Sequence, residues 1–356
     1  MTELSVSVLG SALATPFGTS IEVNCDALFR GADTFRTPQH FDSKGRLLGI
    51  DPELDQPIGR SESRAVTLLM KLRDALPFRI PAEDTMLFLS TTVGAIDLLE
   101  RGKVCDTAAV LLDEAARIFG VSRAVLVSAA CASGQTAVSL AMEQLAGNGC
   151  RHALVIGCDI ASEFVTAGFA ALGACTDTIC RPYDAGRDGL TLGEAAAALL
   201  LSRSGNGFGR ILRAAENCDA AHITAPDLEG KVLSRAIRQT LSDESVLGGV
   251  IGHGTGTVYN DQAEVSALRR IFPDSPPPLF SLKGNYGHTL GATGVLQLVL
   301  GLEFSRRGEL PGQAGLRTPM PGASASGEIR KLKSKRLLSL NVGFGGLNSA
   351  VLLEAL

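Results

Sequence analysis

Four side chains in this sequence combine nucleophilic or proton-bearing chemistry with placement at a turn: Cys131, His253, Lys283 and His288. Cys131 lies in Ser128-Ala129-Ala130-Cys131-Ala132-Ser133-Gly134, where an aliphatic run gives way to a helical pattern. A thiol at a helix N-terminus meets unpaired N–H groups and the positive end of the helix dipole, which favours the thiolate. Gly134 and its small neighbours let another backbone or a substrate approach closely. Taken alone, the stretch is explained equally well by a buried structural cysteine, because cysteine is among the most buried residue types.

His253 opens His253-Gly254-Thr255-Gly256-Thr257-Val258-Tyr259-Asn260-Asp261, where two hydroxyls alternate with glycines beside an imidazole. Such a loop can hold a polar, flexible ligand; it can also be a tight turn around a core histidine. Lys283-Gly284-Asn285-Tyr286-Gly287-His288 sets an amine and an imidazole five residues apart. A lysine in apolar surroundings is costly unless it is paired or solvated. A snorkelling lysine and a capping histidine are the plain alternative. Two histidines without a third ligand at useful spacing do not make a metal site, and none is expected.

The elements that must position these groups read as α/β. Short aliphatic runs mark strands at Ser5–Leu9, Met86–Ser90, Ala124–Ser128, Ala153–Cys158, Ala196–Ser202, Arg210–Ala214, Gly249–Gly252, Leu279–Leu282, Leu337–Asn341 and Ala350–Glu354. Amphipathic patterns at Ser63–Leu76, Thr107–Phe119 and Asp261–Ile271 predict surface helices. Gly134–Ala146 and Gly291–Phe304 are apolar nearly all round, which places both in the interior between sheets. Each follows a short strand and starts just after a reactive side chain, Cys131 or His288, about 157 residues apart. The pattern is a faint internal duplication that would bring two helix N-termini to one site. The Pro- and Gly-rich segment 305–334 reads as a surface loop before the final hairpin.

Bulk composition narrows the field. A formal charge of −4 leaves no basic field to attract nucleic acid. The densest basic stretch, residues 330–336, reads as a solvated approach to the last strands. The eight cysteines include no Cys-x-x-Cys pair, so most read as small buried hydrophobes of a reducing compartment. The N-terminus lacks the pattern of a signal sequence, and no run of about 18 apolar residues suggests a membrane span. The expectation is a soluble, cytoplasmic protein.

With these stretches in view, the chain resembles the β-ketoacyl-acyl carrier protein synthases, nearest to the elongating type with a Cys-His-His set. The resemblance is carried by Ala130-Cys131-Ala132-Ser133-Gly134; by Arg181-Pro182-Tyr183-Asp184-Ala185-Gly186-Arg187-Asp188-Gly189 with Gly193-Glu194-Ala195-Ala196; by His253-Gly254-Thr255-Gly256-Thr257; by Lys283-Gly284-Asn285-Tyr286-Gly287-His288 with Gly291-Ala292-Thr293-Gly294; and by Asn341-Val342-Gly343-Phe344-Gly345-Gly346-Leu347-Asn348. These stand in the family's order over about two-thirds of the chain, and the first hundred residues match weakly.

The resemblance implies a thiolase-like α/β fold: one unit over 1–356 in an α-β-α-β-α layering, with repeated halves at about 1–205 and 206–356. It implies decarboxylative Claisen condensation of a Cys131-bound acyl chain with a malonyl-acyl carrier protein, in fatty acid, polyketide or polyene elongation. His253 and His288 would hold the extender's thioester carbonyl. Lys283 would orient His288 and tune the local charge, with Glu264 in support. The N–H groups of Cys131 and Phe344 would form an oxyanion hole, and Phe344 would also gate the site. Thr255 and Thr257 would bind the pantetheine arm, with Gly345 on the same substrate-binding surface. No cofactor is implied beyond the phosphopantetheine that arrives on the carrier. The implied partners are the carrier protein and a second synthase subunit, as homodimer or heterodimer. Arg60, Arg64, Lys71 and Arg73 correspond loosely to a basic docking patch for the acidic carrier.

Three departures stand out. The span from Val93-Gly94 to Cys131 is short, in a region that lines the family's acyl tunnel and dimer interface. Leu347 stands where the family commonly has Thr. The strand before His253 ends Val250-Ile251-Gly252, without the common Asn-Ala. His288 in Gly287-His288-Thr289 argues against the thiolase and initiating types. The alternative of another class is a non-catalytic, chain-length-determining or structural subunit of a heterodimer; such subunits usually lose the cysteine.

Overall fold

The computed structural model describes residues 5–56, 62–220, 222–241 and 246–356. Ten strands form its main sheet: β1 (Val6–Ala14), β2 (Thr85–Ser90), β3 (Arg123–Val127), β4 (His152–Asp159), β5 (Ala195–Ser202), β6 (Gly209–Cys218), β7 (Gly249–Ile251), β8 (Leu279–Phe280), β9 (Leu337–Gly343) and β10 (Leu347–Ala355). The ten aliphatic runs of the sequence seed these ten strands. Their spatial order is β8-β7-β9-β10-β6-β1-β5-β4-β2-β3.

That order is a duplication. Outward from the central β6–β1 contact, one half runs β1-β5-β4-β2-β3 and the other β6-β10-β9-β7-β8. The pairings match one for one: antiparallel, antiparallel, parallel, parallel. Helices fall at matching places too. Between the strands of the first half lie α1 (Arg64–Asp74), α2 (Thr107–Phe119) and α3 (Ser133–Ala146); later come α4 (Glu163–Ala171), then α5 (Lys231–Thr240), α6 (Val258–Ile271) and α7 (Thr293–Arg307). The equivalent pairs are α1 and α5, α2 and α6, and α3 and α7. Within the sheet, among the described residues, the halves join through three residue pairs, Val6–Ile211, Ser7–Arg210 and Val8–Gly209.

Helices α3 and α7 pack on one another and on strands of both halves. α1 and α2 cover the outer face of the first half, and α5 covers that of the second with α6 packed on it. The result is the α-β-α-β-α layering. Leu296, Leu298 and Leu300 of α7 are buried, each contributing about 1.5–3 kcal/mol. α3 departs from the expectation of burial all round, since Leu140 is 39% exposed, on the same helix as the exposed Glu143 and Gln144.

Two glycines make the central crossing close enough to matter. A Cβ on Gly134 would lie 2.8 Å from Val295 N, and one on Gly294 would lie 2.6 Å from Gln135 N. Backbone therefore meets backbone at the start of both helices, and the two N-termini arrive at one place.

The segment after α7 is not the surface loop expected. A clip of Glu309–Leu310 against Arg330–Lys331 closes it, and Pro311, Gln313, Ala314, Met320 and Ala325 turn inward. Its polar backbone is satisfied inside the fold, which is why burial is tolerated. Gln313 both accepts from Ser281 N (2.7 Å) and donates to Ser281 O (3.2 Å), bracing the strand end that leads to Lys283. Residues 330–336 do face solvent for the most part. No helix among the described residues is long and apolar enough to cross a membrane.

Candidate active site

Cys131 sits two residues before α3, in an elbow after β3. Ala130 takes φ 49°, a left-handed conformation that a small side chain tolerates at modest cost. Ser133 ties the elbow by accepting from Ala129 N (2.8 Å) and donating to Ala130 O. Gly343, at the end of β9, packs on the same elbow, where a Cβ would lie 3.0 Å from Ala129 O.

The thiol opens on a cavity of about 420 Å³. His253, His288, Thr255, Thr257 and Phe344 line it with Cys131. The two imidazoles stand edge to face with ring centroids 5.3 Å apart. Leu290 N donates to His288 Nδ1 (3.0 Å), so a neutral His288 carries its proton on Nε2. Lys283 Nζ lies 3.3 Å from His253 Nδ1 and donates to His253 O, which assigns the same tautomer to His253.

Electrostatics keep both rings neutral. Burial and the Lys283 charge push the two imidazoles well below their usual range, and the His288 ring adds to the shift of His253. Burial lowers Lys283 to about 8, against the pull of Cys131 and Glu264, so the ammonium still predominates at neutral pH. Burial raises Glu264 to about 7.

The thiol corrects a sequence expectation. Burial pushes the Cys131 thiol up to about 12, with the Lys283 charge opposing, the direction opposite to the one helix position alone suggests.

Lys283 requires another correction. Its amine touches the ring and carbonyl of His253, not His288, which is oriented by Leu290 N and approached by Thr293 Oγ1 at 3.4 Å. Glu264 accepts from His253 N (2.6 Å), Gly254 N (2.9 Å) and Tyr183 Oη (2.8 Å), so it holds the loop that carries His253. Thr255 and Thr257 share a hydrogen bond at 2.8 Å between their hydroxyls. Gly345 does not line the cavity; its N–H is spent on Ile223 O (2.7 Å), and Gly346 lines the wall instead. Among the described residues, the N–H groups of Cys131 and Phe344 meet no backbone acceptor.

The proposed basic patch does not survive as a set. Arg64 is 2% exposed; its guanidinium donates to both Glu194 oxygens at 2.8 Å and to Leu54 O and Ala161 O inside the fold, while its backbone N–H donates to Asp97. Lys71 is held by Asp51 and Glu53, both at 2.6 Å. Arg73 is exposed, and Arg60 lies outside the described residues.

Four residues were not anticipated. Phe169 of α4 stacks on Phe344 (5.7 Å) and reaches His288 (6.4 Å), forming an apolar wall. His222 lines the cavity and accepts from Thr224 N (3.1 Å) and Ala225 N (3.2 Å). Asp261 accepts from Tyr183 N, Thr255 N and Gly256 N, shaping the glycine-rich loop. Asp159 is wholly buried and accepts from Thr91 Oγ1 (2.6 Å), Thr92 N (2.9 Å) and Gly291 N (2.7 Å). An acid closing the wholly apolar strand Ala153–Cys158 was a signal, since a buried charge must be compensated. Phe169 and His222 had none. Among the described residues no cluster of three or more His, Cys, Asp or Glu side chains converges as metal ligands would.

Comparison with known proteins agrees with this geometry. The description "Beta-ketoacyl synthase, N-terminal domain" matches residues 119–206, and "Beta-ketoacyl synthase, C-terminal domain" matches 208–317. The 3-oxoacyl-[acyl-carrier-protein] synthase 2 of Mycobacterium tuberculosis is 28% identical over 400 positions, covering 97% of this chain and 96% of that protein. The alignment is longer than the chain itself, so that relative carries insertions absent here. A β-ketoacyl synthase from Burkholderia phymatum superposes with a TM-score of 0.85 at 25% identity over 99% of both chains. A chain of the complex between the ketosynthase ApeO and its chain length factor ApeC, from Xenorhabdus doucetiae, shares the fold (TM-score 0.84, 24% identity, 99% and 98% coverage). Two adjoining family matches, the duplicated topology and one cavity that unites a cysteine with two histidines lead to one assignment: the chain belongs to the β-ketoacyl synthase family.

Proposed function

We propose that this protein catalyses decarboxylative Claisen condensation between an acyl group carried on Cys131 and a malonyl thioester presented by an acyl carrier protein. The observation that carries the reading is the pair of neutral imidazoles facing Cys131 across one cavity, each with Nδ1 engaged and Nε2 left as the donor.

In the first half-reaction Cys131 Sγ attacks the acyl thioester carbonyl. The N–H groups of Cys131 and Phe344 stabilise the oxyanion, and the carrier thiol departs with the proton that Cys131 gives up. In the second, the malonyl thioester carbonyl accepts from His253 and His288. The bond to the carboxylate breaks, carbon dioxide leaves, and its electron pair becomes the enolate. The enolate carbon attacks the acyl–Cys131 carbonyl, the Cys131 thiolate is expelled, and it takes a proton from solvent. Neutral imidazoles suit this role, because a hydrogen-bond donor stabilises the enolate without protonating it and ending the reaction. Thr255 and Thr257, on the cavity wall, would bind the pantetheine amides. A second synthase subunit is the natural partner, by analogy with the ApeO–ApeC complex.

Intact-protein mass spectrometry tests the reading. The expected result is a mass gain from acyl-carrier thioesters that requires Cys131 and is discharged by malonyl carrier. Acylation only after a co-expressed synthase-like subunit is added would identify an obligate heterodimer. Failure under both conditions would leave a non-catalytic subunit as the better account.

A further inference from the structure

Tyr183 stands in the Arg181-Pro182-Tyr183-Asp184 motif, to which the condensation chemistry gives no role. It is fully buried, and its backbone takes φ 61°, a left-handed conformation rare for an aromatic residue. Strain of this kind persists only where surrounding structure over-determines it. Tyr183 N donates to Asp261 Oδ2 (2.8 Å), and Met320 N donates to Tyr183 O (2.8 Å). Held this way, the hydroxyl reaches Glu264 Oε2 at 2.8 Å. The same carboxylate receives the backbone N–H groups of His253 and Gly254.

The glycines on either side of His253 supply an independent observation. A Cβ on Gly252 would lie 2.0 Å from the Tyr183 oxygen and 2.7 Å from Glu264 Oε1, and one on Gly254 would lie 2.6 Å from the Tyr183 oxygen. The hydroxyl fills the space that side chains at those positions would need. The strand before His253 therefore has room for no side chain at residue 252.

We infer that the Tyr183 hydroxyl is a positioning group for His253, acting through Glu264, and that Gly252 is its steric complement. The inference rests on the proposed role of His253 at the extender carbonyl. Without the third donor the carboxylate is free to rotate, its two backbone bonds loosen, and the His253 donor leaves its aligned position.

A double-variant cycle of Tyr183→Phe, Gly252→Ala and both together tests it, with three readouts: thermal unfolding, acylation of Cys131 and decarboxylation of malonyl carrier. Tyr183→Phe keeps the ring and should melt near wild type, acylate Cys131 normally and decarboxylate about tenfold more slowly, the effect of losing one hydrogen bond to a charged group. A merely structural tyrosine would not separate the two half-reactions. Gly252→Ala should lose stability and both activities. Adding Tyr183→Phe should restore its melting temperature and acylation, because the carboxylate can shift into the vacated space, while decarboxylation stays slow. Wild-type decarboxylation by Tyr183→Phe, or a double variant as unstable as Gly252→Ala, overturns the inference. Should wild type neither acylate nor decarboxylate, the functional reading fails, and the melting cycle still decides whether Tyr183 and Gly252 are complementary.

Discussion

The duplication places two elbows side by side, one before α3 and one before α7, and only the first carries a nucleophile. Each has a non-glycine residue in the left-handed region three positions before its helix, Ala130 (φ 49°) and Leu290 (φ 53°). Each is followed by the equivalent position, Cys131 in one half and Gly291 in the other. Cys131 opens onto the cavity. Gly291 donates its N–H to Asp159 Oδ2 (2.7 Å), and a Cβ there would lie 2.8 Å from the same oxygen. The same strained backbone thus serves two ends: one elbow presents a thiol, and the other is plugged by a carboxylate. The plugged elbow acts indirectly, because its Leu290 N–H fixes the tautomer of His288. On the proposed mechanism one half supplies the nucleophile and the other supplies the imidazole donors.

Cys131→Ala should break this division most completely. Condensation and Cys131 acylation fall below detection, while decarboxylation of malonyl carrier persists, since it uses the imidazoles and not the thiol. Carbon dioxide release measured beside intact mass checks both. His288→Ala does the reverse: acylation continues, and decarboxylation drops by about 10²–10³-fold, the cost of removing one preorganised donor at an oxyanion. If the two half-reactions fell together in both variants, the halves would not divide the labour as proposed.

The glycines at the crossing sharpen the comparison at the level of stability. Gly134→Ala sets a Cβ 2.8 Å from Val295 N, and Gly291→Ala sets one 2.8 Å from Asp159 Oδ2. Each should cost about 1–3 kcal/mol in denaturant unfolding, as overpacked interiors do. Gly134→Ala should be the worse, because its nearest neighbours at 2.8 to 3.0 Å are all backbone, whereas at Gly291 the nearest atom is a side-chain oxygen, with the Thr91 backbone at 3.0 Å.

The contrast also shows what a sequence discloses. Strands were legible because β4 and β5 bury aliphatic residues on both faces, and their runs are unbroken. β1 was read only to Leu9, since Gly10-Ser11-Ala12-Leu13-Ala14 lacks branched residues; pairing with Ala196–Leu200 makes it a strand. Cys131, His253 and His288 were legible as reactive types at turns. Lys283 was legible as a member of the site but not as a partner of His253, because that contact depends on how a four-residue helix turns its side chain. Tyr183 and Asp261 were silent as site residues, and Asp159 showed only as an acid closing an apolar strand. They act on backbone N–H groups from distant parts of the chain, and such contacts leave no periodicity. The inward path of 311–326 was hidden for the same reason: glycine and proline mark irregular backbone, and irregular backbone can be buried when its polar groups find partners.

A pH-dependent effect concerns the plug itself. Burial raises the Asp159 carboxyl to about 6, despite the donors of Thr91, Thr92 and Gly291 around it. In an unfolded chain the group titrates near 3.9. A folded-state value above the unfolded one means that the folded protein binds this proton more tightly. Its stabilising contribution is therefore full below about pH 4 and is lost as the pH rises through about 6, amounting to about 3 kcal/mol. Asp159→Asn removes that slope. It also turns an amide N–H toward donors, so the variant should be less stable than wild type at pH 5, with the gap narrowing by pH 7. Urea unfolding of both proteins between pH 4 and 7 measures the difference directly. A gap that stays constant or widens with pH would mean that Asp159 is ionised in the fold throughout, and that the second elbow is held by a full charge.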